Sequence, residues 1–255
     1  MMRDQFVLTP FFLDEPLPGL APLAAPRWIV NQTDLPPGAK QVRMVRLYRP
    51  LATAVATAIH SGARPVSLAG DCCTTIGVLA GLRQAGLTPT LIWLDAHGDF
   101  NTWETTPSGF LGGMPLAMLV GRGEQTMPQG VGLAPLPEAN VILSDGRDLD
   151  PGEREALAAS RVTHLPDVAQ LLDRPLPDGP LYVHFDTDVI DPAEAPAMNY
   201  PAPGGPSAAA LRRVFAHLAG TGRVTAVSVS AWNPELDADG RTQAVVLDLL
   251  SALLV

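Results

Sequence analysis

Short apolar runs recur along the chain, separated by longer stretches in which apolar positions return every three or four residues. The runs at residues 6–8, 65–68, 90–94, 140–143, 181–185 and 223–229 lack polar alternation, which predicts strands buried on both faces. Between them, residues 49–59, 75–85, 152–158 and 207–218 read as amphipathic helices, the last opened by Pro206-Ser207, and a final helix is expected over 242–253. The alternation predicts an α/β fold of three layers, with a central, mainly parallel sheet between two helical layers. The Pro- and Gly-rich stretches 16–26, 105–115 and 192–205 read as connections and not as a linker, so 1–255 is expected to be a single domain.

Composition narrows this picture. With 255 residues, 47% hydrophobic and 17% charged, the chain has material for a large core and is not disordered as a whole. Lys+Arg number 17 against Asp+Glu 26, a net charge of −9, and no basic run is present, which argues against a duplex nucleic acid partner. That charge suits a metal or a cationic or zwitterionic small molecule. No apolar run reaches the roughly 18 residues of a membrane span. The N-terminal residues carry acids and prolines where a signal peptide would be apolar, so a cytoplasmic location is expected. Cys72 and Cys73 are the two cysteines; their adjacency disfavours a disulfide and leaves packing, thiol chemistry or metal ligation.

In parallel sheets ligands bind beyond the carboxyl ends of the strands, and two of those ends are strongly acidic. The run 90–94 leads into Asp95-Ala96-His97-Gly98-Asp99, and 181–185 leads into Asp186-Thr187-Asp188 with Asp191-Pro192 after it. The period of two in extended chain turns alternate side chains the same way. One such cluster alone reads as a turn or helix cap. Two, both at strand ends, gather four carboxylates that repel one another unless a cation lies among them, so a divalent metal site is inferred. Carboxylates with imidazole favour manganese over soft metals, and bridging carboxylates suit a pair of ions.

The residues in these segments resemble the arginase family, the ureohydrolases. The resemblance is carried by 92–102, reading Ile-Trp-Leu-Asp-Ala-His-Gly-Asp-Phe-Asn-Thr, by 104–109 and 113–115, by Asp186-Thr187-Asp188 with Asp191-Pro192, and by 147–153, and it spans about 69–234. It implies a three-layer α/β/α fold of the type shared with the deacetylases, and hydrolysis of a guanidino or amidino C–N bond at two Mn2+ ions that activate a water. By the same resemblance Asp95 and Asp186 bridge the ions, Cys72, His97, Asp99 and Asp188 complete the ligand set, and Asp188 assists proton transfer. Asn101 and Ser108 match positions that bind an α-carboxylate, and Asp150 and Glu153 match positions that recognise an α-ammonium. Taken alone, Asp150 and Glu153 read equally well as a charged helix start at Pro151. Homo-oligomers, trimers or hexamers, are a further implication.

Three positions depart from the family pattern. Cys72 stands where the family has a metal-binding His, which moves affinity toward zinc, iron or cobalt or weakens that site. Gly112 stands where arginases carry a proton-shuttling His, and Ala231 where they carry a carboxylate that pairs with the guanidinium. The expected substrate therefore keeps an arginine-like amino-acid head and has a less basic far end, as in Nω-hydroxyarginine. The alternative is a catalytically weakened relative that binds metal or an amino acid as a regulator or subunit; a single-metal amide hydrolase ranks last. Cys73 reads as packing, His184 as a buried hydrogen-bonded residue, and Trp93, Trp103 and Trp232 as packing, with Phe110 or Trp232 able to line the pocket.

Overall fold

The computed structural model describes residues 3–230 and 232–255. Its strands are β1 (Arg3–Thr9), β2 (Phe11–Phe12), β3 (Glu15–Pro16), β4 (Ile29–Val30), β5 (Ala63–Ala69), β6 (Thr90–Asp95), β7 (Val141–Asp145), β8 (Thr163–Leu165), β9 (Leu181–Asp186) and β10 (Val224–Ser230). Its α-helices are α1 (Lys40–His60), α2 (Thr75–Gln84), α3 (Pro115–Leu119), α4 (Thr126–Gly130), α5 (Pro151–Ala158), α6 (Gln170–Asp173), α7 (Ala208–Gly220) and α8 (Arg241–Leu253). An eight-stranded sheet runs in the order β4-β1-β5-β10-β9-β6-β7-β8, and every neighbouring pair is parallel. β2 and β3 form a separate hairpin.

Alternation along each strand sorts the core into two layers. Leu91 and Trp93 of β6 pack with Met44, Leu47 and Leu51 of α1 and Ile76 and Leu79 of α2, while Ile92 and Leu94 pack with Leu211 and Phe215 of α7 and Leu249 of α8. Each fully buried Leu or Phe contributes roughly 1.5–3 kcal/mol by leaving water, which is what holds two helical layers onto one sheet. The three-layer α/β/α arrangement expected from the sequence is present, and its main sheet is wholly parallel.

Several boundaries move. A helix expected from residue 49 begins at Lys40, because Pro50 sits inside α1 and not at its start. Pro50 and Arg46, whose carbonyl it leaves without a helical donor, are both exposed, so the loss falls where water replaces the bond. The strand expected at 140–143 is Val141–Asp145, and that at 223–229 is Val224–Ser230. The expected helix start at Pro206-Ser207 is found: Ser207 Oγ accepts the amide of Ala210 at 3.2 Å.

Candidate metal centre and substrate cavity

Strand order decides which loops meet. β9 and β10 lie between β5 and β6, so the turn after β5, the loop after β6 and the turn after β9 open at one place on the carboxyl edge. There a cavity of about 430 Å³ is lined by Cys72, Asp95, His97, Asp99, Asn101, Ser108, Asp150, Glu153, Asp186 and Asp188. The structure thus brings together every site residue expected from the sequence, apart from Ala231, which lies outside the described residues.

The carboxylates are held by main-chain donors from their own turns. Asp186 Oδ1 accepts the amide of Asp188 at 2.9 Å, and Asp95 Oδ1 accepts that of His97 at 2.7 Å. Asp188 Oδ1 takes the Ala96 amide at 3.1 Å, and its Oδ2 lies 2.9 Å from His97 Nδ1. Asp99 has φ +49°, the left-handed region that a short polar side chain tolerates, and its Oδ2 is buried with no hydrogen-bond partner.

Electrostatically the site is short of positive charge. Burial, then repulsion from Asp188 and Asp95, pushes the Asp186 carboxyl up; burial and Asp95 do the same to Asp99, and burial and Asp188 to Asp95. Burial works against the His97 imidazolium, but its hydrogen bonds to Asp188 and Asp95 prevail and raise it from 6.5 to about 12. An orphaned buried carboxylate oxygen, three crowded aspartates and a thiol beside them form a donor set that fits divalent cations. The ligand atoms of Asp95, His97 and Asp188 lie within 4.8 Å of one another, as do those of Cys72, Asp95, His184 and Asp186.

Cys72 opens the 3-10 turn Cys72–Thr74, where its thiol donates to Asp186 and lies 3.2 Å from Ser230 Oγ. Burial, then Asp186, pushes the thiol up, so without a cation it stays protonated. Asp71, beside it, is structural: its oxygens accept the amides of Leu13 at 2.7 Å and Cys73 at 2.9 Å. Cys73 is fully buried in the core, and both cysteines are free.

At Gly112 a Cβ would meet Phe110 Cε1 at 2.3 Å. A side chain at position 112 would therefore have to displace the outer edge of the Phe110 ring. Phe110 stacks at 6.3 Å on Phe12 and lies 5.0 Å from the tilted Tyr200 ring, giving the cavity an aromatic wall. At the start of α5, Glu153 is 2% exposed and both its oxygens are used, by the Phe100 amide at 2.7 Å and the Asp150 amide at 3.2 Å. Asp150 is half-buried and accepts from Asn101 Nδ2 at 2.9 Å.

Sequence reasoning missed four parts of this site. Trp93, read as packing, also donates from Nε1 to Asp95 Oδ2 at 2.8 Å, and His184 joins the cluster from beneath. Both stand two residues before an aspartate, so the period of two carried the signal. Phe12, on the short strand β2, and Tyr200, from the loop after β9, lie in segments whose sequence has no mark of the site. Trp232 packs into the core of the α7 and α8 layer and does not line the cavity.

Fold and site together define a class: a three-layer α/β/α protein with a buried acidic cluster, able to hold a metal ion, at the carboxyl edge of a parallel sheet. The Arginase family model matches residues 27–255, and the chain belongs to that family, whose enzymes hydrolyse guanidino and amidino C–N bonds at paired metal ions. An arginase from Brucella melitensis is 38% identical over 208 residues, covering 74% of this chain and 67% of the relative. Arginase from Bacillus subtilis is 32% identical over 216 residues, 80% of this chain and 73% of the relative. The crystal structure of arginase from Bacillus subtilis superimposes with a TM-score of 0.83 at 28% identity, covering 99% of this chain and 98% of that one.

Proposed function

We propose that the protein hydrolyses the C–N bond of a guanidino or amidino group on an α-amino acid whose far end is less basic than that of arginine, such as Nω-hydroxyarginine, releasing urea or a substituted urea. The observation that carries this reading is the single cavity shared by the acidic cluster and by Asn101, Ser108 and Asp150. Asp95 and Asp186 would hold both ions, with Cys72 and Asp99 at one and His97 and Asp188 at the other. The bound pair would supply concentrated positive charge and acidify a water at neutral pH.

The remaining roles belong to the chain. Asn101 and Ser108 receive the α-carboxylate, and Asp150, oriented by Asn101, receives the α-ammonium. Glu153 serves by holding the Asp150 and Phe100 amides in place. Asp188, fixed by the Ala96 amide, accepts a proton from the attacking water and returns it to the leaving nitrogen. The Phe110 and Tyr200 rings offer a planar, weakly basic end an apolar face in place of a charged partner.

The test is urea and hydroxyurea release from arginine and Nω-hydroxyarginine after reconstitution with manganese, cobalt or both, run beside metal analysis. Two ions per chain and preferential turnover of the hydroxylated substrate are expected. Asp150→Ala should raise KM for amino acid substrates far more than for their des-amino analogues; equal effects would remove Asp150 from ammonium recognition. The closed position at Gly112 favours one second reading, a weakened relative that binds metal or amino acid in a regulatory or subunit role. Bound metal without release from any guanidino or amidino acid would select it.

A further inference from the structure

The imidazole absent at position 72 has a counterpart elsewhere in the fold. Along β9, Tyr182, His184 and Asp186 alternate onto the face that carries the site, and the ligand atoms of His184, Cys72, Asp95 and Asp186 lie within 4.8 Å of one another. His184 is fully buried. Its Nδ1 lies 2.8 Å from Ser228 Oγ, which lies 2.8 Å from Tyr182 Oη. A serine hydroxyl has two lone pairs, so Ser228 Oγ can accept the Nδ1 proton, the tautomer that a metal-bound Nε2 requires.

In that tautomer Nε2 carries a lone pair. Its hydrogen-bond neighbour among the described residues is Ser230 Oγ at 3.5 Å, the outer limit for such a bond. The tilted Trp93 ring, 4.0 Å away, fixes the imidazole plane. One ring nitrogen tied to an orienting acceptor and the other left with a free lone pair is the arrangement of a ligating histidine. The buried, unpartnered Asp99 Oδ2 lies on the same cavity as Cys72 and independently marks a missing cation.

Resting on the metal-dependent reading above, we propose that His184 supplies the imidazole lost at position 72, so that the ion assigned above to Cys72 and Asp99 is also held by His184, beside Asp95 and Asp186. The imidazole comes from the strand beneath the site and not from the turn after β5. A thiolate and an imidazole among carboxylates make a borderline donor set, suited to zinc, cobalt or iron over manganese. Binding would release the Cys72 proton now given to Asp186.

The probe is Co2+ alone, titrated into the full chain. Expected are a sulfur-to-cobalt charge-transfer band and, by NMR of the loaded wild-type protein, two sets of paramagnetically shifted histidine ring protons, from His97 and His184. His184→Ser should remove one set, weaken one cobalt site about tenfold or more, and keep the sulfur band. Cys72→Ser should remove the band and keep both sets. A single imidazole set in the wild-type protein overturns the proposal without any substitution, as do unchanged affinity and spectra in His184→Ser. None of these readouts uses turnover. Absent urea release would strike the hydrolase reading and leave His184 as a ligand, and a single imidazole set would do the reverse.

Discussion

At Gly112 the consequence of a side chain being absent is physical as well as chemical. A Cβ there would lie 2.3 Å from the Phe110 ring, so Gly112→His alone should not regain a proton shuttle. It should cost about 1–3 kcal/mol through overpacking, read as a lowered Tm, with no gain in urea release. Adding Phe110→Ala should relieve the cost, and recovered stability in the pair would locate the strain at that contact. Glu153 gives a second prediction. Burial raises its carboxyl from 4.5 to about 7, against hydrogen bonds from Phe100 and Asp150 that lower it. A carboxyl whose folded pKa exceeds its unfolded one holds its proton more tightly when folded, so its contribution to stability falls as pH rises from about 4.5 through about 7. Glu153→Gln, which never ionises, should flatten that part of the Tm-against-pH curve; a curve parallel to wild type would show that Glu153 is not the group responsible.

Between elements, Arg147 holds the site's rim. Its guanidinium pairs with Asp145 and donates to the carbonyls of Asp188, Val189, Ala202 and Pro203, joining the loop after β7 to the turn after β9. Removing it leaves buried Asp145 unpaired, so Arg147→Ala should cost about 3 kcal/mol in denaturant unfolding and lower kcat through Asp188. Arg147→Lys should restore only part, since an ammonium lacks the planar fork. The sequence made the element order readable because long apolar runs are local properties, and Asp95 and Asp186 end two of them; His97, Asp99 and Asp188 lie past the strand ends, Asp99 left-handed and Asp188 in the 3-10 turn Thr187–Val189, so the turns and not the period of two aim them into the site. The start of α1 was hidden by Pro50, whose meaning depends on which face meets water. β4 and β8 are too short to carry a pattern and form by pairing with β1 and β7. Of the aromatic wall the sequence offered Phe110 alone: Phe12 and Tyr200 join it only through tertiary packing.

Across the whole molecule, crowded carboxylates are tolerated at a cost that a cation removes. Saturating divalent metal should raise Tm, by about 2.7 kcal/mol of stability at a hundredfold excess over Kd, and chelation should reverse it. A Tm indifferent to metal would argue against the acidic cluster being a cation site. The sheet order carries one more consequence, for the life of the chain before it is an enzyme. β9 and β10, late in the sequence, insert between β5 and β6, which are early, so Cys72 meets Asp186 and Ser230 only when the last third arrives. A nascent chain still emerging from the ribosome holds its amino-terminal donors apart from the partners that would close a coordination sphere. Any ion held between Cys72 and Asp186 would therefore be chosen by the finished protein and not captured in passing. In refolding, metal uptake should lag behind the recovery of helical signal.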